Sequence, residues 1–190
     1  TASKGDMSQN ENLLPYSYST LTTNWNDTAK LPRNTSDAKI ETTQYSVNYS
    51  ISPMERLNMN AFYRYYDLNN ETKTDEWYYV TSDSASNTTA GTSVNNQRKN
   101  LAYGYTKKNT GLDLSYNIWK STLGIGYEKE GIERDFREAD TEEVMYKASL
   151  GIRPVKGLFL KAKYLIGDRD GGTYKGEVTD QTYHFKNAAA

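Results

Sequence analysis

Few side chains in this sequence could do chemistry, and their spacing limits what kind. Cysteine is absent and there is one histidine, His184. Disulfides, thiolate metal sites and cysteine nucleophiles are therefore excluded within this chain. His184 has no partner motif, and no serine sits in a G-x-S-x-G elbow that would activate it. Asp168-Arg169-Asp170-Gly171 resembles the start of a calcium loop, but the D-x-D-x-D-G spacing and the distal glutamate are missing. It reads as a turn-forming loop. No catalytic, metal-binding or cofactor-binding residue is assigned, and the chain is not expected to be an enzyme. Four charged residues remain of interest: Arg64, Asp113, Lys161 and Lys163. They either line a lumen and touch what it encloses, or pair with charges on neighbouring strands. The second is the simpler reading, since most charged pairs are structural or idle.

These residues sit in a pattern that occurs twice. Tyr45 to Asp67 and Tyr146 to Asp168 align at an offset of 101 residues. Tyr45, Ile51, Pro53, Leu57, Ala61, Tyr63 and Asp67 recur as Tyr146, Ile152, Pro154, Leu158, Ala162, Tyr164 and Asp168. Each copy is two alternating runs around a short proline-containing turn. Tyr45, Val47, Tyr49 and Ile51 share one side; Gln44, Ser46, Asn48 and Ser50 share the other. Period two marks a strand with an apolar and a polar side. The runs approach the 9–11 residues of a tilted membrane strand, and tyrosines crowd the ends away from the turns as interfacial girdles do. The expected fold is all-β, an antiparallel up-and-down transmembrane barrel. Tyr45, Val47, Tyr49, Ile51, Leu150, Leu158 and Leu160 are expected to face lipid, with Arg64, Asp113, Lys161 and Lys163 facing the lumen. A soluble antiparallel sheet also alternates and stays open on pattern alone.

Composition agrees with that class. Lysine plus arginine number 23 against 24 acidic residues, a net charge of −1, so no global field points to nucleic acid. There are 17 tyrosines, which with the many Asn, Thr and Ser residues fits strands better than helices. No apolar run approaches the ~18 residues of a transmembrane helix. The chain is polar on average, as a barrel can be when only alternate strand residues meet lipid.

In order, residues 1–37 read as irregular and loop-rich, 38–68 as a hairpin, 69–97 as a long polar outer loop, and 98–190 as further strands and loops of the same single domain. Trp77 to Val80 could extend a strand above the membrane, and VTDQTYHF could begin one more. Leu101, Tyr103 and Tyr105 share one parity; Leu112, Leu114, Tyr116 and Ile118 share the other. A tight turn or a bulge is therefore expected within Lys107–Gly111, and a bulge is preferred. It would put the three short turns, Ser52–Arg56, Asn117–Ser121 and Arg153–Gly157, on one side and the long loops on the other. Glu128–Thr141 and Asp168–Glu177 read as outer loops. Six or seven strands fall short of the eight of the smallest bacterial barrels, so the chain reads as a segment of a larger barrel.

Several stretches in order carry a resemblance: GDMSQNENLLPYS, LPRNTSDAKIETT, SP…LNMNAFYRYYDLNNET and RPVKGLFLKAKYLIGDRDGGTY. Together they resemble the MtrB/PioB family of decahaem-associated outer-membrane barrels over nearly the whole chain, most weakly in 69–97. The resemblance implies a barrel of roughly two dozen strands or more, within the bacterial size range, in the bacterial outer membrane. It implies a periplasmic multihaem c-type cytochrome held inside, often an outer-surface multihaem cytochrome beside it, and outer-membrane lipid around it. Haem c would belong to the partner, with no cofactor in this chain. Extracellular electron transfer is then the expected function, and a passive porin for small solutes is the alternative. An outer-membrane hydrolase is a distant further reading.

Overall fold

The computed structural model describes residues 1–16, 26–78, 97–136 and 139–172. A seven-stranded antiparallel sheet dominates it. Its members are β1 (Ala2–Gln9), β2 (Ala38–Met54), β3 (Leu57–Asn70), β6 (Tyr105–Ile118), β7 (Ser121–Arg134), β8 (Thr141–Ile152) and β9 (Leu160–Gly171), and they lie side by side in that order. A short two-stranded ribbon, β4 (Glu76–Tyr78) with β5 (Gln97–Lys99), stands apart between β3 and β6. A 3-10 turn, Thr28–Lys30, is capped by the Asp27 carboxylate, which accepts from the Ala29 N–H at 2.9 Å.

The described residues enclose no hydrophobic core. Among the described residues, the buried ones are Gly104, Asn109, Gly111 and Gly151. The sheet is one layer, and its apolar side chains stand outward: Val47 is 61% exposed and Ile125 63%. In water a continuous apolar face of this size would drive association. In hydrocarbon it is already buried, and the ladder satisfies the backbone groups that lipid cannot. A soluble sandwich would need a second layer on this face; the described chain supplies none.

The two copies of the repeat fold with the same register. Tyr45 pairs Tyr65 and Tyr146 pairs Ile166; Val47 pairs Tyr63 and Ala148 pairs Tyr164; Ile51 pairs Met59 and Ile152 pairs Leu160. The three short connections, β2–β3, β6–β7 and β8–β9, all lie at one end of the sheet. The first closes through Glu55 and Arg56 after a register shift between Ile51 and Met54, the second through Trp119 and Lys120. By the rule for outer-membrane barrels this is the periplasmic end.

Strand tilt follows from where the outward face turns charged. Above the tyrosines the first charge is Glu41 on β2 and Asp168 on β9. Through the pairings, Glu41 lies opposite Asn69, whereas Asp168 lies in the row of Val144, Lys129, Thr110 and Tyr63. The boundary therefore drops by six residues, about 20 Å, across five strand spacings, about 24 Å. A membrane surface is level, so the strands lean by about 40°, inside the range for such barrels. At that tilt Leu57 to Asp67 spans about 26 Å of height, close to the apolar band such barrels present.

Four expectations need correction. Residues 1–37 are not wholly irregular, because β1 pairs with the outer half of β2 from Ala2↔Tyr45 to Gln9↔Ala38. That part of the sheet stands above the apolar band, so both faces are polar and no alternation marks it. There is neither turn nor bulge within Lys107–Gly111: β6 keeps one register against both neighbours. Leu101 and Tyr103 precede the strand, and Tyr105 lies on its inward side with Lys107, opposite Leu68. The segment Glu128–Thr141 is largely strand, as β7 runs to Arg134 and β8 starts at Thr141. Finally, Asp168 to Gly171 extends β9 and is no turn, while Leu158 falls just before β9 in the connection. Trp77 and Tyr78 do form a strand, β4. Tyr79, Val80, VTDQTYHF and His184 lie outside the described residues.

Candidate functional site

The candidate site is the inward wall, built by the residues that alternate with the lipid face. Strand parity puts Tyr45, Val47, Tyr49 and Ile51 on one face with Leu150 and Leu160, and puts Arg64, Asp113, Lys161 and Lys163 on the other. Leu158, 46% exposed, keeps the parity of the lipid set from outside the strand. The pattern is local, so nearest-neighbour alternation finds both faces.

The outward face has three zones. Nearest the turns are aliphatics such as Ile51, Leu123 and Leu160. The tyrosines follow: Tyr45 stacks on Tyr65 at 4.5 Å and meets Tyr63 at 6.0 Å, and Tyr127 meets Tyr146 at 5.5 Å. Ion pairs then begin, Lys108–Glu133 at 2.9 Å, Lys129–Glu142 at 2.8 Å and Lys4–Glu41 at 3.1 Å. Aliphatic band, aromatic belt and charged rim are the order of a hydrocarbon slab, its interface and water.

The inward wall is polar and mostly satisfied within itself. On β2 and β3, Ser50 shares a hydrogen bond with Asn60 at 2.8 Å and Ser52 with Asn58 at 2.7 Å. At its middle lies a charged cluster. The Asn109 amide donates to Glu128 at 2.7 Å and to Glu130 at 3.1 Å. Lys147 pairs with Glu128, and Lys107 with Glu130 at 3.0 Å. The buried Asn109 Oδ1 has no hydrogen-bond partner among the described residues. Sequence reading missed this cluster because its members come from β6, β7 and β8 and meet only through the register.

The wall is also low in relief. The Phe62 ring lies over Gly111, with the Arg64 guanidinium 4.8 Å from the ring, and the Asp113 carboxylate lies over Gly126. Ser149 Oγ sits 2.5 Å from where a Gly124 side chain would begin, and the Phe159 ring 3.2 Å from that of Gly151. Large side chains lie flat on neighbouring glycines. Of the expected lumen residues, Asp113, Lys161 and Lys163 border one trough of about 480 Å³ with Lys147 and Ser149. Arg64 stands apart from it on β3.

Outside the band, Tyr16 accepts a hydrogen bond from the Tyr78 N–H at 3.1 Å, tying the N-terminal segment to the ribbon. Burial raises its phenol above the ordinary tyrosine value, partly offset by that bond. The ribbon is anchored by Arg33, whose guanidinium meets Asp75 at 2.8 Å and the Trp77 ring at 5.4 Å. No group of three or more metal-ligating side chains occurs among the described residues.

Comparison with known proteins matches the architecture. The family model described as "Putative outer membrane beta-barrel porin, MtrB/PioB" covers residues 1–189. No curated protein matches the chain significantly. Porins are a non-enzymatic kind of protein, and this family resides in the bacterial outer membrane. With an open sheet, an outward apolar band, short turns at one end and a family match over nearly its whole length, the chain belongs to the MtrB/PioB family of outer-membrane β-barrel porins.

Proposed function

We propose that this barrel wall sheathes a periplasmic multihaem c-type cytochrome and positions it for electron transfer across the outer membrane. The observation that carries the reading is the low relief of the inward wall, where Phe62, Asp113 and Phe159 lie flat over Gly111, Gly126 and Gly151. A pore that sorts small solutes needs side chains or loops projecting into its lumen. A sleeve around a folded protein needs a smooth polar surface against which a second surface can approach closely. The self-satisfied Ser50–Asn60 and Ser52–Asn58 pairs suit that role, since these four groups are not left unpaired when a partner fits. In this scheme the haem c groups and the redox steps belong to the partner, with an outer-surface multihaem cytochrome as the next carrier. The barrel supplies insulation from lipid and a fixed position. A passive porin is the second reading, favoured by the family's description as a porin.

The test is an optical spectrum of the native, detergent-solubilised complex purified through this chain. A strong Soret band that shifts on reduction is the expected result. A colourless barrel that conducts ions in a planar bilayer would replace the sheath with the passive porin.

A further inference from the structure

Charge on the inward wall is divided by ladder row. In the two rows nearest the periplasmic turns, one row runs Asn58, Ser115, Gly124, Ser149 and Lys163, and the other Asn117, Thr122, Gly151 and Lys161. Neither holds a carboxylate. Lys161 lies seven residues along β9 from Asp168, near the periplasmic edge. Just below these rows come Lys120 and Arg153. The Lys120 ammonium donates to the Pro154 carbonyl at 3.1 Å, and the Arg153 N–H donates to the Lys120 carbonyl at 2.8 Å, which holds the two turns together. The Arg153 guanidinium stands 5.4 Å from the Phe159 ring, which itself lies on Gly151. All four cations are exposed, and no ion pair joins any of them to a described carboxylate. The acids of these strands lie in other rows: Asp113 in the next row, about level with Lys161 once the strand tilt is counted, then Glu128, Glu130 and Glu143 higher on the wall.

We infer that Lys120, Arg153, Lys161 and Lys163 form a docking surface for an acidic face of the periplasmic protein that the barrel encloses. The inference rests on the sheath reading and adds the chemistry and the place of the contact. Cations with no carboxylate partner among the described residues raise the local positive potential of a polar wall, most strongly where low-dielectric walls focus it. They favour a partner rich in carboxylates and repel a basic one, which fixes which way the partner enters. Phospholipid headgroups are a poorer occupant, because Lys161 and Lys163 share the face opposite Leu160 and Ala162 and point away from lipid. The flat floor at Gly124 and Gly151 lets a partner backbone approach the ammonium groups closely.

The test uses the full-length barrel in its native complex. Lys120, Arg153, Lys161 and Lys163 are replaced together by glutamine, and Lys4→Gln on the outward rim serves as the control. Barrel insertion is followed by heat-modifiable mobility, and partner retention by Soret absorbance per barrel across a sodium chloride series. The expected result is normal insertion, retention weakened by on the order of tenfold at about 0.15 M salt, and a shallower salt dependence. The control should keep its haem. Unchanged retention and salt dependence in the quadruple variant, with a coloured wild type, would overturn the docking surface and leave the sheath standing. A colourless wild type would overturn both. Loss of insertion in the quadruple variant, with retention normal in whatever inserts, would assign these cations to lipid and overturn the inference.

Discussion

The two repeat hairpins, β2–β3 and β8–β9, share a register and an outward pattern and differ on the inward side. Outward, Val47 corresponds to Ala148 and Tyr63 to Tyr164, and both hairpins pass from aliphatic to aromatic to charged. Inward, the first carries Ser46, Asn48, Ser50, Asn58, Asn60, Phe62 and Arg64, with Ser50 bonded to Asn60 and Asn58 to Ser52. The second carries Lys147, Ser149, Lys161 and Lys163 at comparable positions. Lipid is the same solvent everywhere around a barrel, so it imposes the same outward residues wherever a hairpin stands. The inward face answers to whatever lies opposite it, which changes around the circumference. In the proposed sheath, the divergence on the inward side records what the barrel encloses.

The largest effect that could break this comparison comes from the outward face. Val47→Arg should destabilise the barrel by about 2–4 kcal/mol in denaturant unfolding from bilayers, as arginine does near the midplane. Ala148→Arg at the matching position should cost about as much. Asn48→Arg, one residue round to the inward face, should be tolerated. Equal costs for Val47→Arg and Asn48→Arg would show that the faces are misassigned.

Next in size is the mid-wall cluster that ties the second hairpin to β6 and β7. A double-mutant cycle with Glu128→Gln and Lys147→Gln should give a coupling of about 0.5–1.5 kcal/mol, reduced from a buried pair by lumen water. A coupling of zero would reduce Lys147 to one more solvated charge and blur the contrast with Ser46, its neutral counterpart on the first hairpin.

The flat wall gives a comparable or smaller effect with an internal check. Gly111→Ala should displace the Phe62 ring and cost about 1 kcal/mol by overpacking, and adding Phe62→Leu should recover part of it. Gly131→Ala meets nothing within 4 Å and should be neutral in the same unfolding assay. If both alanines behave alike, Phe62 does not lie flat and the inward wall is rougher than described.

The smallest change sharpens the reading of the first hairpin. Ser50→Ala removes the hydroxyl bonded to Asn60 and should cost under about 1 kcal/mol, the net worth of one exposed hydrogen bond. Retention of the enclosed partner should not change. A measurable loss of partner would mean that the first hairpin also makes specific contacts.

Legibility followed locality. The hairpins, their faces and the three short turns could be read because side-chain alternation and turn residues act between near neighbours. The strand β1 could not, since it lies above the apolar band where both faces are wet and Ala2 to Gln9 show no contrast. The parity change around Lys107 misled for a related reason. Tyr105 looked like a continuation of the lipid face, yet it belongs to the inward side at the outer mouth, where it meets Tyr66 at 5.6 Å. An aromatic residue serves on either face once a strand has left the membrane. Outer loops read too long wherever charged residues, as in Glu128 to Arg134, continue a strand whose partners supply the ladder.

The alternation in the chain by itself determined that this protein is a sheet with one apolar and one polar face, because period two is a property of each strand alone. Only the tertiary structure decided which charges meet. Asn109, Glu128 and Lys147 lie on three different strands, and Lys120 and Arg153 in two separate turns. Whether such groups pair, and whether Lys161 and Lys163 stand apart from the acids higher on the wall, depends on the register between strands. That register is set by cooperative backbone pairing across the sheet, to which no single strand's sequence has access.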